Sequence, residues 1–304
     1  MNVITGISGF IGSNLAEHLL MKNEHFVGID NNIVMDRIEN ISNSAMEIVK
    51  GDVKHMDYYS AYFEGAETVY HLAAACDINK SLKETTWDLT ENVVGTHSVL
   101  EVMRKYDIPN IVFTSTSVVY GEDAPRPTSE IYTNYNPISQ YAASKIAAET
   151  FIKTYANIYG LKATVFRFAN VVGKHEHRGV ICDFINKLKK NPNELEILGN
   201  GKQIKSYFHV SDCVRAIVDI PKKNRKNFNV YNVATYDQVD VNCVADIVCK
   251  KLGVKPKIKY TGGDRGWIGD VPVVVLSIKK ALSTGWKPMF DCRMSIKKTV
   301  EVLR

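Results

Sequence analysis

The 304-residue chain has no long apolar run, no paired-cysteine motif and no strong excess of either charge. No stretch approaches the roughly 18 apolar residues that span a bilayer, so no membrane segment is expected. The six cysteines, at positions 76, 182, 213, 243, 249 and 292, include no C-x-x-C pair and no His/Cys metal spacing. Reduced, mostly packed thiols in a reducing compartment follow, with no metal site. Net charge is +5, from 38 Lys and Arg against 33 Asp and Glu, and the lysines are scattered, which argues against nucleic-acid binding. The local run Lys222-Lys223-Asn224-Arg225-Lys226 reads as a solvated loop. A strand pattern already begins at residue 2 and leaves no room for the charged start of a signal peptide, so the cytoplasm is the expected location. Repeats, low-complexity tracts and disordered tails are also missing. Hydrophobic content of 45% with 23% charged residues is that of an ordinary globular protein, long enough for a large core in one or two domains.

The first dozen residues carry the strongest signal. Thr5-Gly6-Ile7-Ser8-Gly9-Phe10-Ile11-Gly12 follows the apolar pair Val3-Ile4 and opens the helical run Ser13–Met21. A strand, a turn with glycines three apart and then a helix can hold a pyrophosphate against the free N–H groups of the helix's first turn. Gly6 permits the turn, Gly9 admits the phosphate to the backbone, and Gly12 lets helix and sheet pack closely. Asp30 ends a second apolar run, eighteen residues past Gly12. A carboxylate there accepts from ribose hydroxyls and repels a 2′-phosphate, which points to NAD as cofactor. Arg37 is the nearest following cation.

Further candidate strands are Met46–Lys50, Thr68–Leu72, Ile111–Thr114 and Ala163–Arg167, with Asn2–Thr5 and His25–Ile29 before them. Helical patterns run through Thr90–Tyr106 and Ser139–Tyr159. The alternation predicts an α/β, Rossmann-type doubly wound parallel sheet that binds ligand at the carboxyl ends of its strands. From about residue 170 the elements become shorter and mixed. The expected division is a cofactor-binding domain over 1–169, rejoined by segments around 203–220, and a smaller mixed α/β substrate-binding region over 170–304.

Of fifteen tyrosines, only Tyr141 has a lysine four residues later, Lys145, which puts both on one helix face. A phenol titrating near pH 10 is a weak base at neutral pH. A nearby ammonium and a nicotinamide cation would draw Tyr141 toward phenolate, able to take a proton from a sugar hydroxyl. The hydroxyl run Thr114-Ser115-Thr116-Ser117 follows a strand at the ligand-binding edge, where it can hydrogen-bond a reacting C–OH or C=O, or bond its own backbone.

Together with Arg167-Phe168-Ala169-Asn170-Val171-Val172-Gly173, these motifs resemble the extended short-chain dehydrogenase/reductase family, over residues 1 to about 290. Within it the chain is most similar to nucleotide-sugar epimerases of the UDP-glucose (UDP-galactose) 4-epimerase type. The resemblance implies Tyr141 as acid/base, Lys145 as its tuning and ribose-binding partner, and Thr116 as the hydroxyl that assists. It implies cofactor contacts from Gly6, Gly9, Phe10, Ile11, Gly12, Asp30 and Asn31. Asp52 and Val53 would lie at the adenine, and Leu72, Ala73, Ala74, Asn92 and Thr114 would line the cleft. Substrate would meet Ser115, Thr116, Tyr141, Asn170, Lys205, Arg265 and Val274. Lys205 stands where the family often has arginine, which keeps the charge and forfeits the bidentate fork. The spacing from Arg265 to Gly269-Asp270 also departs from the usual form.

Sugar 4,6-dehydratases place an Asp-Glu pair after the active threonine, where this chain has Ser117 and Val118, and decarboxylating relatives need a glutamate at Val118. GDP-sugar 3,5-epimerase/reductases need a cysteine in this loop, and none occurs between residues 77 and 181. Reversible 4-epimerisation of a UDP-sugar is therefore the expected activity. Another nucleotide-sugar reaction of the same family, or a silent nucleotide-binding scaffold, stays open. A homodimer paired through Thr90–Tyr106 and Ser139–Tyr159 is implied by the same resemblance. Val274, five residues past Gly269, would border the sugar, and its small side chain would leave room for an N-acetyl group.

Overall fold

A computed structural model describes residues 1–39, 41 and 46–304. Its first compact unit comprises 1–119, 139–167 and 217–231. Six strands form in chain order: β1 (Asn2–Thr5), β2 (Phe26–Asp30), β3 (Glu47–Lys50), β4 (Thr68–His71), β5 (Asn110–Thr116) and β6 (Lys162–Phe168). With the Phe228–Val233 strand outside β6, the sheet order is Phe228–Val233, β6, β5, β4, β1, β2, β3. The order reverses between β1 and β4, both of which run parallel to their neighbours, and the sheet is the Rossmann-type doubly wound sheet that the strand–helix alternation implies. Such a reversal opens a crevice at the carboxyl ends of the strands.

Each sequence-derived strand appears within two residues of its expected ends. β5 runs on to Thr116, so Thr116 closes the strand and the 3-10 turn Ser117–Tyr120 starts directly after it. The core of this unit joins Val3, Ile29 and Val69 to Val99, Met103, Phe113 and Ile152. The Gln140–Tyr159 helix begins at Ser139, whose hydroxyl accepts from Ala142 N at 3.1 Å, and stops at Gly160, whose left-handed φ of 73° ends the helix.

The expected single helix over 90–106 is two elements, a π-helical turn Leu89–Val94 and an α-helix Gly95–Lys105. The Thr96 hydroxyl donates to Asn92 O at 2.6 Å, and the Asn92 side chain is drawn inward by partners outside the helix. A side chain inserted into the helical ladder is a recognised cause of such a bulge.

The second unit comprises 120–138, 168–216 and 232–304. Short strands pair here: Asn170–Val172 with Tyr207–His209, Glu194–Ile197 with Lys257–Tyr260, and Ile204–Lys205 with Val239–Asp240. In the Val180–Lys190 helix, Ile181, Phe184, Ile185 and Leu188 recur at helical spacing and pack with Leu195, Val244, Val248, Ile296 and Val300. Asp240 caps the Val241–Leu252 helix and Asp291 the Cys292–Leu303 helix, each accepting a backbone N–H at 2.7 Å. Among the described residues no helix is long and apolar enough to cross a membrane.

Candidate active site

At the carboxyl edge of β1 the glycine turn is closed to side chains. Gly6 has φ +75°, and a Cβ there would lie 2.7 Å from Ala73 N at the end of β4. A Cβ on Gly12 would lie 2.0 Å from Gly6 O, and one on Gly9 3.0 Å from the same oxygen. The loop backbone and the Phe10–Met21 helix can meet this closely because Gly6 and Gly12 carry no Cβ, and Gly9 leaves only a tight space for one. The half-buried Phe10 and Ile11 begin that helix, and the buried Ser8 hydroxyl has no hydrogen-bond partner among the described residues.

Asp30 ends β2 facing this loop. Its Oδ2 accepts from Ser8 N at 2.9 Å and its Oδ1 from Asn32 N at 3.0 Å, while Asn31 is exposed beside it. Burial raises the Asp30 pKa, and these N–H donors and the Arg37 guanidinium oppose the rise. Arg37 Nη1 itself donates to Ser8 O at 3.0 Å, so the cation is tied to the loop.

Asp52 is an N-cap. It accepts from Lys54 N at 2.9 Å and pairs with Lys54 Nζ at 3.0 Å, and Val53 packs under Gly95. Leu72 N donates to Thr5 O at 3.1 Å and Ala73 N to Thr5 Oγ1 at 3.4 Å, while Ala74 is exposed. His71 lies beneath them and was read from sequence only as part of a segment. Thr96 Oγ1 gives its proton to Asn92 O, so it accepts from His71 Nε2 at 3.0 Å. That leaves His71 Nδ1 to accept from Thr5 Oγ1 at 2.7 Å. Burial, with Lys145 adding to it, lowers the His71 pKa to about 3, so this ring is a neutral brace.

A second group forms at the end of β5. The Thr116 hydroxyl lies close enough to the Tyr141 phenol to act on its ionisation. Lys145 Nζ donates to Thr114 O at 3.0 Å and lies 4.6 Å from the Phe113 ring centroid. Tyr141, Lys145, Thr114 and Thr116 are thus brought together as their spacing implies, but the expected electrostatics differ. Burial pushes the Tyr141 phenol up, Cys76 and Asp88 push it further, and only the Thr116 hydroxyl opposes them. Lys145 Nζ is 6.0 Å from the Tyr141 ring centroid, and the chain's own groups hold Tyr141 protonated. Burial also lowers the Lys145 pKa to about 8, against the pull of Cys76, Glu149 and Asp88.

This shift has a measurable sign. Between pH 8 and the ordinary lysine value of 10.5, the unfolded chain binds more protons at this position than the folded one. Stability contributed here therefore rises with pH across that window and is lowest below it. The unfolding free energy of wild type minus that of Lys145→Met should climb from pH 8 to pH 10.5. A flat difference would count against the buried ammonium.

Ser115 does not join this group. Its side chain points to the opposite face of the strand from those of Thr114 and Thr116, and its hydroxyl donates to Glu149 Oε1. Arg167 holds the same carboxylate through Nε at 3.1 Å and Nη2 at 2.6 Å. Glu149 is four residues past Lys145, a spacing that could have flagged it, whereas Arg167 had been read only as part of a motif. Asn92 is not open to a ligand in this arrangement. Its Oδ1 accepts from Ala75 N at 2.8 Å, and its Nδ2 donates to Ala75 O at 3.1 Å and Ser144 Oγ at 2.9 Å.

In the second unit the two expected phosphate-binding cations have acidic partners. Lys205 Nζ bonds Asp270 Oδ1, both groups being buried, and stands 5.2 Å from the Trp267 ring centroid. Arg265 makes a two-point pair with Glu122, its Nη2 donating to Oε2 at 2.8 Å. Neither carboxylate was singled out as a partner from sequence. Asn170 opens its short strand, its N donating to Ser206 O at 3.1 Å. Val274 is buried, and its N donates to Ile204 O at 3.0 Å, next to Lys205.

A doubly wound sheet with a glycine-lined turn at its reversal, and a Tyr–Lys pair on a helix beside a threonine at the end of β5, defines a dinucleotide-dependent enzyme class. Residues 2–234 match the NAD dependent epimerase/dehydratase family, and the chain belongs to it. Its cofactor is NAD, and the close backbone approach at Gly6 and Gly12, with the buried Ser8 hydroxyl that makes no hydrogen bond among the described residues, fits that cofactor. A putative UDP-glucose 4-epimerase of Methanocaldococcus jannaschii is 35% identical over all of this chain and 98% of its own length. A crystal structure of a UDP-galactose 4-epimerase is 36% identical, with TM-score 0.87, over 99% of this chain and 98% of the other. A UDP-N-acetylglucosamine 4-epimerase of Methanobrevibacter ruminantium, solved with UDP-N-acetylmuramic acid, is 26% identical with TM-score 0.90, covering 99% and 97%. Relatives along the whole chain are thus named as 4-epimerases, which are isomerases.

Proposed function

We infer that this protein is an isomerase that interconverts UDP-sugars at C4, acting on UDP-glucose and UDP-galactose and accepting their N-acetyl forms. The observation that carries the reading is the group at the end of β5, with Thr116 beside the Tyr141 phenol and Lys145 anchored to Thr114 O at 3.0 Å. NAD would be held by Gly6, Gly9, Phe10, Ile11 and Gly12 at its phosphates, and by Asp30 and Asn31 at the adenosine ribose. Asp52 and Val53 would flank the adenine, and Leu72, Ala73, Ala74 and Thr114 would line the cleft. When bound, it supplies a reversible hydride acceptor.

Tyr141 takes the C4 hydroxyl proton as the sugar is oxidised and returns a proton to the oxygen on C4 when the alcohol re-forms. Thr116 holds the phenol oxygen in line. Lys145 adds positive charge beside a phenol that the chain's other groups hold protonated, and it also binds the nicotinamide ribose. Asn92 acts as a positioning residue, holding the 75 segment against the Tyr141 helix. Ser117 and Val118 supply neither acid nor base at neutral pH, so elimination of water has no catalyst and the keto-sugar can only be reduced again. The second unit is the nucleotide-sugar-binding region, with Asn170, Lys205 and Arg265 toward the diphosphate and sugar.

Purified protein should convert UDP-galactose to UDP-glucose without added NAD. If it yields a 4-keto-6-deoxy sugar or nothing, the reading falls. For the sugar pocket, comparable kcat/KM is expected on UDP-glucose and UDP-N-acetylglucosamine, and Val274→Tyr should selectively depress the N-acetyl substrate. An unchanged ratio in that variant would remove Val274 as the gate.

The cytoplasm is its proposed location and a homodimer its proposed state. Leu89, Val94, Phe151 and Ile158 on the two candidate pairing helices are large apolar side chains left exposed, which favours a partner helix pair there. Light scattering that finds only monomer at micromolar concentration would exclude this interface.

A further inference from the structure

At the amino edge of the sheet, the end away from the glycine turn, the first residues of β4, β5 and β6 and the segment 218–227 enclose a cavity of about 310 Å³. Four cations line it, Lys162, Lys222, Arg225 and Lys226, and no Asp or Glu does. Among the described residues none of the four is in an ion pair. The loop that carries three of them is pinned to the sheet edge. Asn224 Nδ2 donates to Thr164 Oγ1 at 2.6 Å, and Tyr231 OH donates to Asn224 Oδ1 at 2.6 Å. The cations are therefore held near one another, where their mutual repulsion favours a counter-anion.

Tyr70 supplies an independent observation. It is only 6% exposed and lines the same cavity, and among the described residues its hydroxyl makes no hydrogen bond. A phenol O–H in the wall of such a cavity can donate to a ligand atom. Burial, with Glu24 and Asp219 adding to it, pushes the phenol up and keeps it an O–H donor. Those two carboxylates are not among the residues lining the cavity.

We propose that this cavity is a second anion site, separate from the cofactor edge, which takes a small phosphate-bearing ligand of one or two phosphoryl groups. Tyr70 donates to a phosphoryl oxygen, and Lys162, Lys222, Arg225 and Lys226 balance its charge. The volume sits at the lower end of small-molecule sites, roughly 300–1,000 Å³, which suits a phosphate or pyrophosphate group and is too small for a dinucleotide. Free phosphate and the phosphate of a sugar ester share this chemistry.

The test uses the whole protein saturated with NAD and UDP, so that the phosphate contacts of the proposed catalytic site are filled. Titration calorimetry with inorganic phosphate, pyrophosphate and glucose 1-phosphate should reveal one further saturable site. Arg225→Gln with Lys226→Gln, and separately Tyr70→Phe, should each weaken it by about tenfold or more, the scale of lost hydrogen bonds to a charged group. Lys189→Gln with Lys190→Gln, an equal charge loss elsewhere on the surface, should leave it within about twofold. Tightest binding of glucose 1-phosphate assigns the site to an esterified phosphate, and binding of the inorganic ions alone assigns it to free phosphate. The proposal is overturned if none of the three binds saturably, if the cavity variants bind like wild type, or if the Lys189/Lys190 control loses as much affinity as they do.

Discussion

Tyr141→Phe is expected to lower turnover by about 10²–10⁴-fold, the loss typical when a positioned proton-transfer group is removed, with NAD still bound. The substitution removes one oxygen from a half-buried ring and leaves the helix intact, since Ser139 caps it independently of that side chain. What disappears is the phenol O–H, the group beside the Thr116 hydroxyl. Lys145 donates to Thr114 O, and His71 lies in its own chain with Thr5 and Thr96 and is neutral. Steady-state kcat together with extraction of the bound nucleotide separates lost chemistry from lost cofactor. Turnover within a few-fold of wild type would remove Tyr141 as the acid/base.

The second large effect falls on stability. Glu149→Ala should cost about 3–5 kcal/mol, because it leaves a buried guanidinium without its counter-charge. The Arg167 side chain is 3% exposed and that of Glu149 7%, so water cannot replace the carboxylate. Ser115 loses its acceptor in the same change. Urea unfolding measures the loss, and Glu149→Gln, which keeps an acceptor in place but not the charge, should fall between wild type and alanine. A cost below about 1 kcal/mol, the scale of a surface pair, would mean that the ion pair is not held in this buried form. Glu149 also favours the charged form of Lys145 one helical turn earlier. Its removal should therefore lower the pH at which Lys145 titrates.

Local periodicity carried much of the structure. The strands from β1 to β6, the glycine turn and the Tyr141–Lys145 pair are all set within a few residues of chain, through alternation, glycine's freedom and helical spacing. Family membership was legible for the same reason. The sheet order is less local, yet it too follows from right-handed connections between alternating strands and helices.

What the sequence left undecided is how its polar groups are partnered. Lys205 and Asp270 are 65 positions apart, Arg265 and Glu122 are 143 apart, and Asn92 and Ser144 are 52 apart. No spacing rule reaches that far, because such contacts depend on which loops the topology brings side by side. Ser115 shows the same limit within one strand. The hydroxyl run offered three candidate ligands in a row, but a strand turns alternate side chains to opposite faces, and only the packed Glu149–Arg167 pair decides which face Ser115 serves. The protonation of Tyr141 is likewise a property of the fold. It is set by burial and by Cys76 and Asp88, charges brought near from other segments, and so the chain alone determined that a tyrosine and a lysine would meet while tertiary packing determined the state in which they do.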